Sequence, residues 1–189
     1  MNKIYLFLAD GDFPKPEFLM RLKRLGIEER SVRFPSSRRA EFVAPAEVAY
    51  ALDTVLLPYH DEHGVKIGCL VSHAHGQLEE KALEKALLYF ANYPCYLTDI
   101  LMRDMSFGDF STYNLLMKQF KHVDQELLSA AGAYLRCGCN SNYASEVLFV
   151  HRNTFRNRLD RFVEVTNLDI RDYHNALLLE IYFQLRGKN

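Results

Sequence analysis

Long apolar runs are missing from this sequence. No segment reaches about 18 apolar residues without a charge, which excludes a membrane-spanning helix, and the apolar run 4–9 is too short for a secretory signal peptide. We therefore expect an intracellular, cytoplasmic protein that does not contact a membrane. The 189 residues, 49% apolar and 25% charged, have the balance of a globular chain with one ordinary domain and a small second one.

Cysteine is scarce as well. The four cysteines, Cys69, Cys95, Cys137 and Cys139, are irregularly spaced in a chain without an export signal, so we expect reduced thiols rather than disulfides. Cys137 and Cys139 could form a metal or redox pair, but two incidental thiols at a helix end are the favoured interpretation.

Neither an excess of one charge nor a catalytic constellation is present. The formal net charge is −1, and residues 121–189 hold nine Lys and Arg against eight Asp and Glu, so charge alone does not indicate nucleic-acid binding. We find no nucleophile–base pair, glycine-rich phosphate loop or acid dyad, and therefore expect neither an enzyme nor a cofactor. The segment 10–12, Asp-Gly-Asp, could bind a cation, but a strand-ending turn is favoured.

The first 120 residues mix strand and helix patterns. The predicted strands are 4–9, 31–34, 54–59, 65–72 and 96–101, and the predicted helices are 17–25 and 77–90. Strands 54–59 and 65–72 are expected to form a hairpin around the polar turn His60–Gly64. The element order predicts an α+β domain, with helices packed on one face of a sheet.

From Asp124 onward the apolar spacing is purely helical. A first helix ends at Gly138, a short helix over 142–149 is capped by Ser141 or Asn142, a tight connection leads to a longer helix over 152–166, and Asp172 caps a last helix. The short helix is expected to bury Ala144, Val147 and Leu148. Residues 121–189 are therefore predicted to form an all-α bundle that follows the α+β domain.

The helix over 152–166 has one apolar and one polar face. At about 100° per residue, Phe155, Leu159, Phe162 and Val163 point inward. The opposite side carries Asn153 and Asn157 at its centre, Thr154 and Arg161 beside them, Arg152 and Arg156 on one flank and Arg158 on the other. Asp160 lies near this exposed arc, where it either reads a cytosine amino group or marks the edge of a contact.

These residue types suit DNA recognition. Amide side chains can bond adenine bidentately in the major groove, flanking arginines can reach phosphates, and the helix N-terminus near His151 offers backbone N–H groups to a phosphate. An ordinary polar helix in a bundle would show a similar pattern. A short helix and tight turn before this helix favour a helix-turn-helix, whose second helix enters the groove.

The run Tyr143–Leu159, with its string Val-His-Arg-Asn-Thr at 150–154, resembles the C-terminal helix-turn-helix of PucR/CdaR-type bacterial transcription regulators. The similarity continues through 166–170 and upstream to 127–135, and a weaker similarity to Fis-type DNA-binding ends has the same register. The resemblance implies DNA contacts from His151, Arg152, Thr154, Arg156 and Asn157, and phosphate contacts from Asn140 and Asn142. The sequence departs from the family at Asn157, where an aromatic or basic residue is frequent, and at Asp160, where a basic residue is frequent.

Upstream, Ser106–Leu116 resembles the end of the divergent GGDEF-like domain that precedes this module in the family. The expected hairpin at His60–Gly64 falls where that fold places its signature turn. Here the turn lacks the glycine pair and the acidic residues of a cyclase, so the resemblance implies no cyclase activity.

Together these features predict a sequence-specific transcription regulator. Residues 1–120 would sense a small-molecule effector and dimerise, and residues 121–189 would bind double-stranded DNA as part of a homodimer on an inverted repeat. The last helix offers an alternative dimer surface through Leu177, Leu178, Ile181, Tyr182 and Leu185.

A metal-binding sensor or small metalloprotein is the alternative. Potential ligands crowd residues 60–75, namely His60, Asp61, Glu62, His63, Cys69, His73 and His75. Imidazoles and carboxylates on paired strands can hold Zn²⁺. The two groups of histidines lie at opposite ends of the expected hairpin, however, so structural or surface roles are favoured and no metal ligand is assigned.

Overall fold

The computed structural model describes residues 2–186, except for the side chain of His60. The chain divides into two compact units, one up to Thr112 and one from Tyr113 onward. Within residues 2–186, no helix is both long enough and apolar enough to cross a membrane.

The first unit is built on a five-stranded sheet. Its strands are β1 (Asn2–Ala9), β2 (Arg33–Ser36), β3 (Arg39–Pro45), β4 (Ile67–Ser72) and β5 (Pro94–Tyr96), and its helices are α1 (Lys15–Arg24), α2 (Asp53–His63), α3 (Gln77–Tyr89) and α4 (Leu97–Ser106). The strand order is β2-β3-β1-β4-β5, in which only the β4–β5 pair is parallel. This mixed architecture confirms the α+β class.

Helices cover both faces of the sheet, so the prediction of helices on one face is wrong. Phe7 of β1 packs edge-on against Phe18 of α1, with 5.2 Å between ring centroids. On the other face α3 lies directly on β4, because a β-carbon at Gly68 would stand 2.5 Å from the backbone nitrogen of Leu87. All six residues of β4 are buried, as expected for a strand covered on both sides.

The predicted hairpin at residues 54–72 is wrong in its first half. Residues 53–63 form α2, whose inward side chains Val55, Leu56 and Tyr59 follow helical spacing and are buried. The β-branched Thr54 and Val55 favour a strand and Pro58 disfavours a helix interior, but burial of one helical face decides the conformation. The signature turn expected at His60–Gly64 is therefore the end of a helix.

Two further strands differ from the prediction. The sequence predicts a strand over residues 96–101. In the structure Tyr96 is the only residue of this range that belongs to a strand, as the last residue of β5, and α4 begins at Leu97. The Asp99 carboxylate accepts a hydrogen bond from the Tyr96 backbone N–H at 2.8 Å and fixes the start of this helix. Strand β3, which pairs with β1 along its whole length, was not predicted.

A buried charged cluster joins α3 to the end of this unit. Lys85 donates hydrogen bonds to Asp104, to Asp109 at 2.7 Å and to the Ser111 hydroxyl at 2.9 Å, and Asp104 also accepts from Thr112 at 2.5 Å. Burial opposes the charge on Lys85, but the two carboxylates outweigh it and raise its pKa. The hydrogen bond from Lys85 lowers the pKa of Asp109. These bonds pin α4 and the following loop to α3.

We expect Lys85→Met to destabilise the protein by about 3 kcal/mol, because the almost fully buried Asp104 would lose its counter-charge. Urea denaturation measures the change. Lys81→Met is the matched control on the same helix, since Lys81 pairs with the exposed Glu84, and it should cost less than about 0.5 kcal/mol. Equal costs for the two variants would contradict this role of the cluster.

The second unit is all-helical, as predicted. Its helices are α5 (Ser111–Phe120, in which the division between the units falls), α6 (Gln125–Arg136), α7 (Ser141–Val147), α8 (Arg152–Thr166) and α9 (Tyr173–Arg186). Phe120 stacks on Phe162 of α8 at 6.3 Å and contacts Tyr182 of α9 at 4.6 Å between ring centroids. Asp124 caps α6, and the Asp172 carboxylate accepts from the N–H of Asn175 at the start of α9, as predicted for Asp172.

Candidate nucleic-acid interface

Helices α7 and α8 form a helix-turn-helix with a four-residue connection, 148–151. The N-cap of α7 is Asn140, whose Oδ1 accepts hydrogen bonds from the backbone N–H groups of Asn142 and Tyr143, both at 3.1 Å. The observed cap therefore lies one or two residues before the predicted positions, Ser141 and Asn142. Of the side chains expected to be buried in α7, Ala144 is buried but Val147 is exposed.

The connection is held by two backbone hydrogen bonds. The N–H of Phe149 donates to Glu146 O and the N–H of Val150 donates to Ser145 O, both at 3.0 Å. Phe149 itself has a φ of 54°, in the left-handed region. This conformation ends α7 and turns the chain into α8.

His151 is the N-cap of α8. Its Nδ1 accepts a hydrogen bond from the backbone N–H of Asn153 at 3.2 Å. A ring nitrogen that accepts carries no proton, so the neutral ring holds its proton on Nε2. The Nε2–H is then a donor at the N-terminus of the helix, beside the exposed Arg152.

One face of α8 is buried, as the helical spacing predicted. Phe155, Leu159 and Phe162 are buried, and Val163 is half-buried. The predicted outward residues lie on the other side of the helix. Arg152, Asn153, Thr154, Arg156, Asn157 and Arg161 are exposed, and Arg158 is half-buried.

Ion pairs divide the exposed face into two halves. Arg158 pairs with Glu126 of α6 at 2.7 Å, and Arg161 pairs with Glu164 at 2.8 Å. Arg152 and Arg156, in the first two turns, have no ion-pair partner within residues 2–186. The positive charge open to an anion is therefore concentrated at the N-terminal end of α8, next to its free backbone N–H groups.

Asp160 has an intramolecular partner that the sequence did not indicate. Arg171, in the connection between α8 and α9, lies 3.5 Å from the Asp160 carboxylate and 2.7 Å from that of Asp169. The acidic side chain on the polar face is thus partly neutralised by a residue eleven positions away. Neither this pair nor Arg158–Glu126 follows from local spacing, because the partners lie on different segments.

The histidines of segment 60–75 do not converge on one site. Among the described side chains, the only group of three or more potential ligands close enough to share an ion is Glu17, Glu62 and His63. Glu17 already contacts His63 at 2.5 Å and accepts from Arg21 at 2.6 Å, and Arg21 also pairs with Glu62, so the guanidinium offsets one of the two carboxylate charges of this group.

The remaining candidate ligands are placed elsewhere. His73 contacts Lys3, and His75 lies 3.9 Å from Glu41. Cys69 is fully buried, and burial raises the pKa of its thiol, which disfavours the thiolate that a metal requires. The side chain of His60 lies outside the described part of the chain. Among the described side chains, the candidate ligands of the alternative metal-binding interpretation therefore do not all meet at one site.

We expect His151→Ala to destabilise the second unit by up to about 1 kcal/mol, because the Asn153 N–H loses its acceptor. His151→Asn, whose side-chain oxygen also caps helices well, should keep the wild-type stability. Urea unfolding followed by circular dichroism measures both variants. Equal destabilisation by alanine and asparagine would show that the cap does not depend on a side-chain acceptor.

Comparison with known proteins agrees with this geometry. Residues 127–185 match the PucR C-terminal helix-turn-helix domain, which confirms the resemblance carried by Tyr143–Leu159. The proline-responsive transcriptional activator PutR of Bacillus subtilis is 31% identical over 74 residues, which are 39% of this chain and 18% of that protein. The carbohydrate diacid regulator of Escherichia coli is 32% identical over 99 residues, 48% of this chain and 26% of that protein.

The chain thus matches about a quarter or less of the length of these relatives. Among solved structures, a regulator of polyketide synthase expression from Bifidobacterium adolescentis aligns with a TM-score of 0.48 and 17% identity, over 100% of this chain and 87% of that one. Residues 127–185 are a PucR-type C-terminal helix-turn-helix domain.

Proposed function

We propose that the protein is a cytoplasmic, sequence-specific DNA-binding transcription regulator rather than an enzyme, and that α8 enters the major groove. One observation carries this proposal. The first two turns of α8 present Arg152 and Arg156 without ion-pair partners among the described residues, on the exposed face that also holds Asn153 and Asn157. Two amides flanked on one side by these two arginines, at the N-terminus of the second helix of a helix-turn-helix, suit base reading and phosphate contact.

Each exposed group then has a role set by its chemistry. Asn153 and Asn157 read base edges, because an amide can donate to and accept from one adenine. Arg152 and Arg156 bind phosphates on one flank, and Thr154 and the Nε2–H of His151 add neutral hydrogen bonds at the same end.

The cap of α7 is the second phosphate contact. There the exposed Asn140 and Asn142 stand at the start of the first helix of the motif.

The other two arginines contribute less. Arg158 and Arg161 begin in ion pairs with Glu126 and Glu164, so a phosphate must replace a carboxylate that each already has. The gain from such an exchange is smaller than for an unpaired cation. Arg158 and Arg161 therefore mark the outer limit of the contact.

We expect the chain to bind duplex DNA with an affinity that falls as salt rises, because phosphate contacts release counterions. Arg156→Ala should lower the slope of log affinity against log salt by about one. Arg158→Ala should lower it by less, since Glu126 already neutralises that charge. Fluorescence anisotropy with duplexes selected by the wild-type chain from a random library measures the slopes.

Asn157→Ala is the control for the division of roles. It should leave the salt slope unchanged and alter the selected sequence at one position, because an amide carries no charge but reads a base. No binding by the wild-type chain at low salt would overturn the proposed function. If Arg158→Ala lowered the salt slope by as much as Arg156→Ala does, the proposal that Arg158 lies at the outer limit of the DNA contact would be wrong.

We further propose that the chain acts as a homodimer on an inverted repeat and responds to a small-molecule effector. One reading helix contacts too few bases to be selective in a genome, so such modules act in pairs about 34 Å apart or a multiple of it. The first unit is the proposed sensing and pairing device. The relative PutR is described as proline-responsive, which is consistent with an effector that acts through the same kind of regulator.

Light scattering on the full chain and on a fragment of residues 121–189 tests the dimer. We expect a dimeric full chain and a monomeric fragment, if the first unit holds the interface. A dimeric fragment would move the interface to α9, where Leu177, Ile181 and Leu185 are only half-buried. If the full chain were monomeric and still bound a single half-site tightly, the proposed homodimer would be wrong.

A further inference from the structure

Phe149 combines exposure with an unfavourable backbone conformation. Its side chain is 96% exposed and its φ is 54°. For residues with a β-carbon, the left-handed backbone conformation is sterically unfavourable, which is why glycine and asparagine usually occupy it. Elsewhere among the described residues, positive φ occurs at Gly26, Gly64, Gly108, Gly138, Asn92, Asn167 and Cys139. A fully exposed aromatic ring in this conformation contributes nothing evident to folding.

The backbone that carries the ring is nevertheless held in place. The backbone hydrogen bonds from Phe149 to Glu146 and from Val150 to Ser145 fix the turn on both sides of it. When the ring binds a partner, only its side-chain rotamer remains to be ordered, which lowers the entropy cost of binding. Strained residues that the surrounding structure holds in this way are frequent at binding sites.

The position of Phe149 indicates the partner. It lies two residues before His151, the N-cap of α8, and three before Arg152, the first of the unpaired arginines. This is the end of α8 that the proposed function places against DNA. Tyr143 and Val147, four residues apart on α7, are also exposed and extend the apolar surface behind the turn.

We infer that the Phe149 ring makes an apolar contact with DNA at the edge of the groove that α8 enters. Duplex DNA offers two apolar partners at this edge, the C5 methyl group of thymine and the carbons of the deoxyribose. The inference rests on the proposed function, because it needs the N-terminal end of α8 to face the duplex. It adds a contact made by a residue without charge or hydrogen-bonding group.

Two variants separate this role from a structural one. Phe149→Ala removes the ring and keeps the strained backbone, whereas Phe149→Asn removes the ring and relieves the strain. Both should weaken binding to the selected duplex by about five- to tenfold. Phe149→Asn should at the same time raise the thermal unfolding midpoint by about 4–8 °C, so a loss of affinity cannot be attributed to lost stability.

The salt dependence identifies the kind of contact. Because a ring releases no counterions, the slope of log affinity against log salt should equal that of the wild type, in contrast to Arg156→Ala. Tyr173→Ala is the matched control, since Tyr173 is an exposed aromatic residue at the start of α9, and it should leave affinity unchanged. Replacing single thymines by deoxyuridine then locates the contact.

A thymine methyl contact predicts one position at which deoxyuridine weakens the wild-type complex but not the Phe149→Ala complex. A deoxyribose contact predicts no such position, although Phe149→Ala should still lower the affinity for the duplex. Wild-type affinity in both Phe149 variants, or a slope that falls as in Arg156→Ala, would overturn the inference. Absence of DNA binding by the wild-type chain would instead overturn the proposed function on which it rests.

Discussion

The burial of one face of α8 is the constraint on which the candidate interface depends. Phe155, Leu159 and Phe162 are fixed in the core of the second unit, and Phe162 is stacked on Phe120. Because side-chain directions along a helix are set by the residue spacing, this burial also fixes which polar residues face outward. This burial is sufficient to direct the exposed amides and arginines outward. Their geometry is a consequence of core packing.

Electrostatics then selects which part of that face is open to a charged partner. The chain has a net charge of −1, so it cannot attract DNA through its total charge. Glu126 and Glu164 neutralise the arginines of the central and C-terminal turns, while the two arginines nearest the helix N-terminus have no ion-pair partner in the part of the chain that the structure describes. The helix dipole favours anions at that same end. Acidic residues therefore restrict the positive charge that a partner can reach to the N-terminal end of α8, but they do not remove it.

The second unit could be predicted from the sequence more closely than the first. The sequence predicts helix α8 with its observed bounds, because its apolar period and its length agree. In the first unit, the sequence predicts strands where α2 and the start of α4 are found. Short segments with β-branched residues fit the pattern of a strand and that of a buried helix equally well. The ion pair between Arg158 and Glu126 could not be foreseen, because its partners lie 32 positions apart and meet only through the packing of α6 on α8.

The residues at the start of α8 are not those that stability alone would favour. Serine, threonine, aspartate and asparagine are the usual N-caps, yet the cap here is a histidine, and the left-handed position before it holds phenylalanine in place of glycine. Stability must come from the neighbouring turn, where buried Ala144 and Ser145 anchor α7 and two backbone hydrogen bonds close the connection. Local rules for stability are broken within three consecutive residues and restored on either side, which is consistent with the proposal that this segment is shaped by DNA binding.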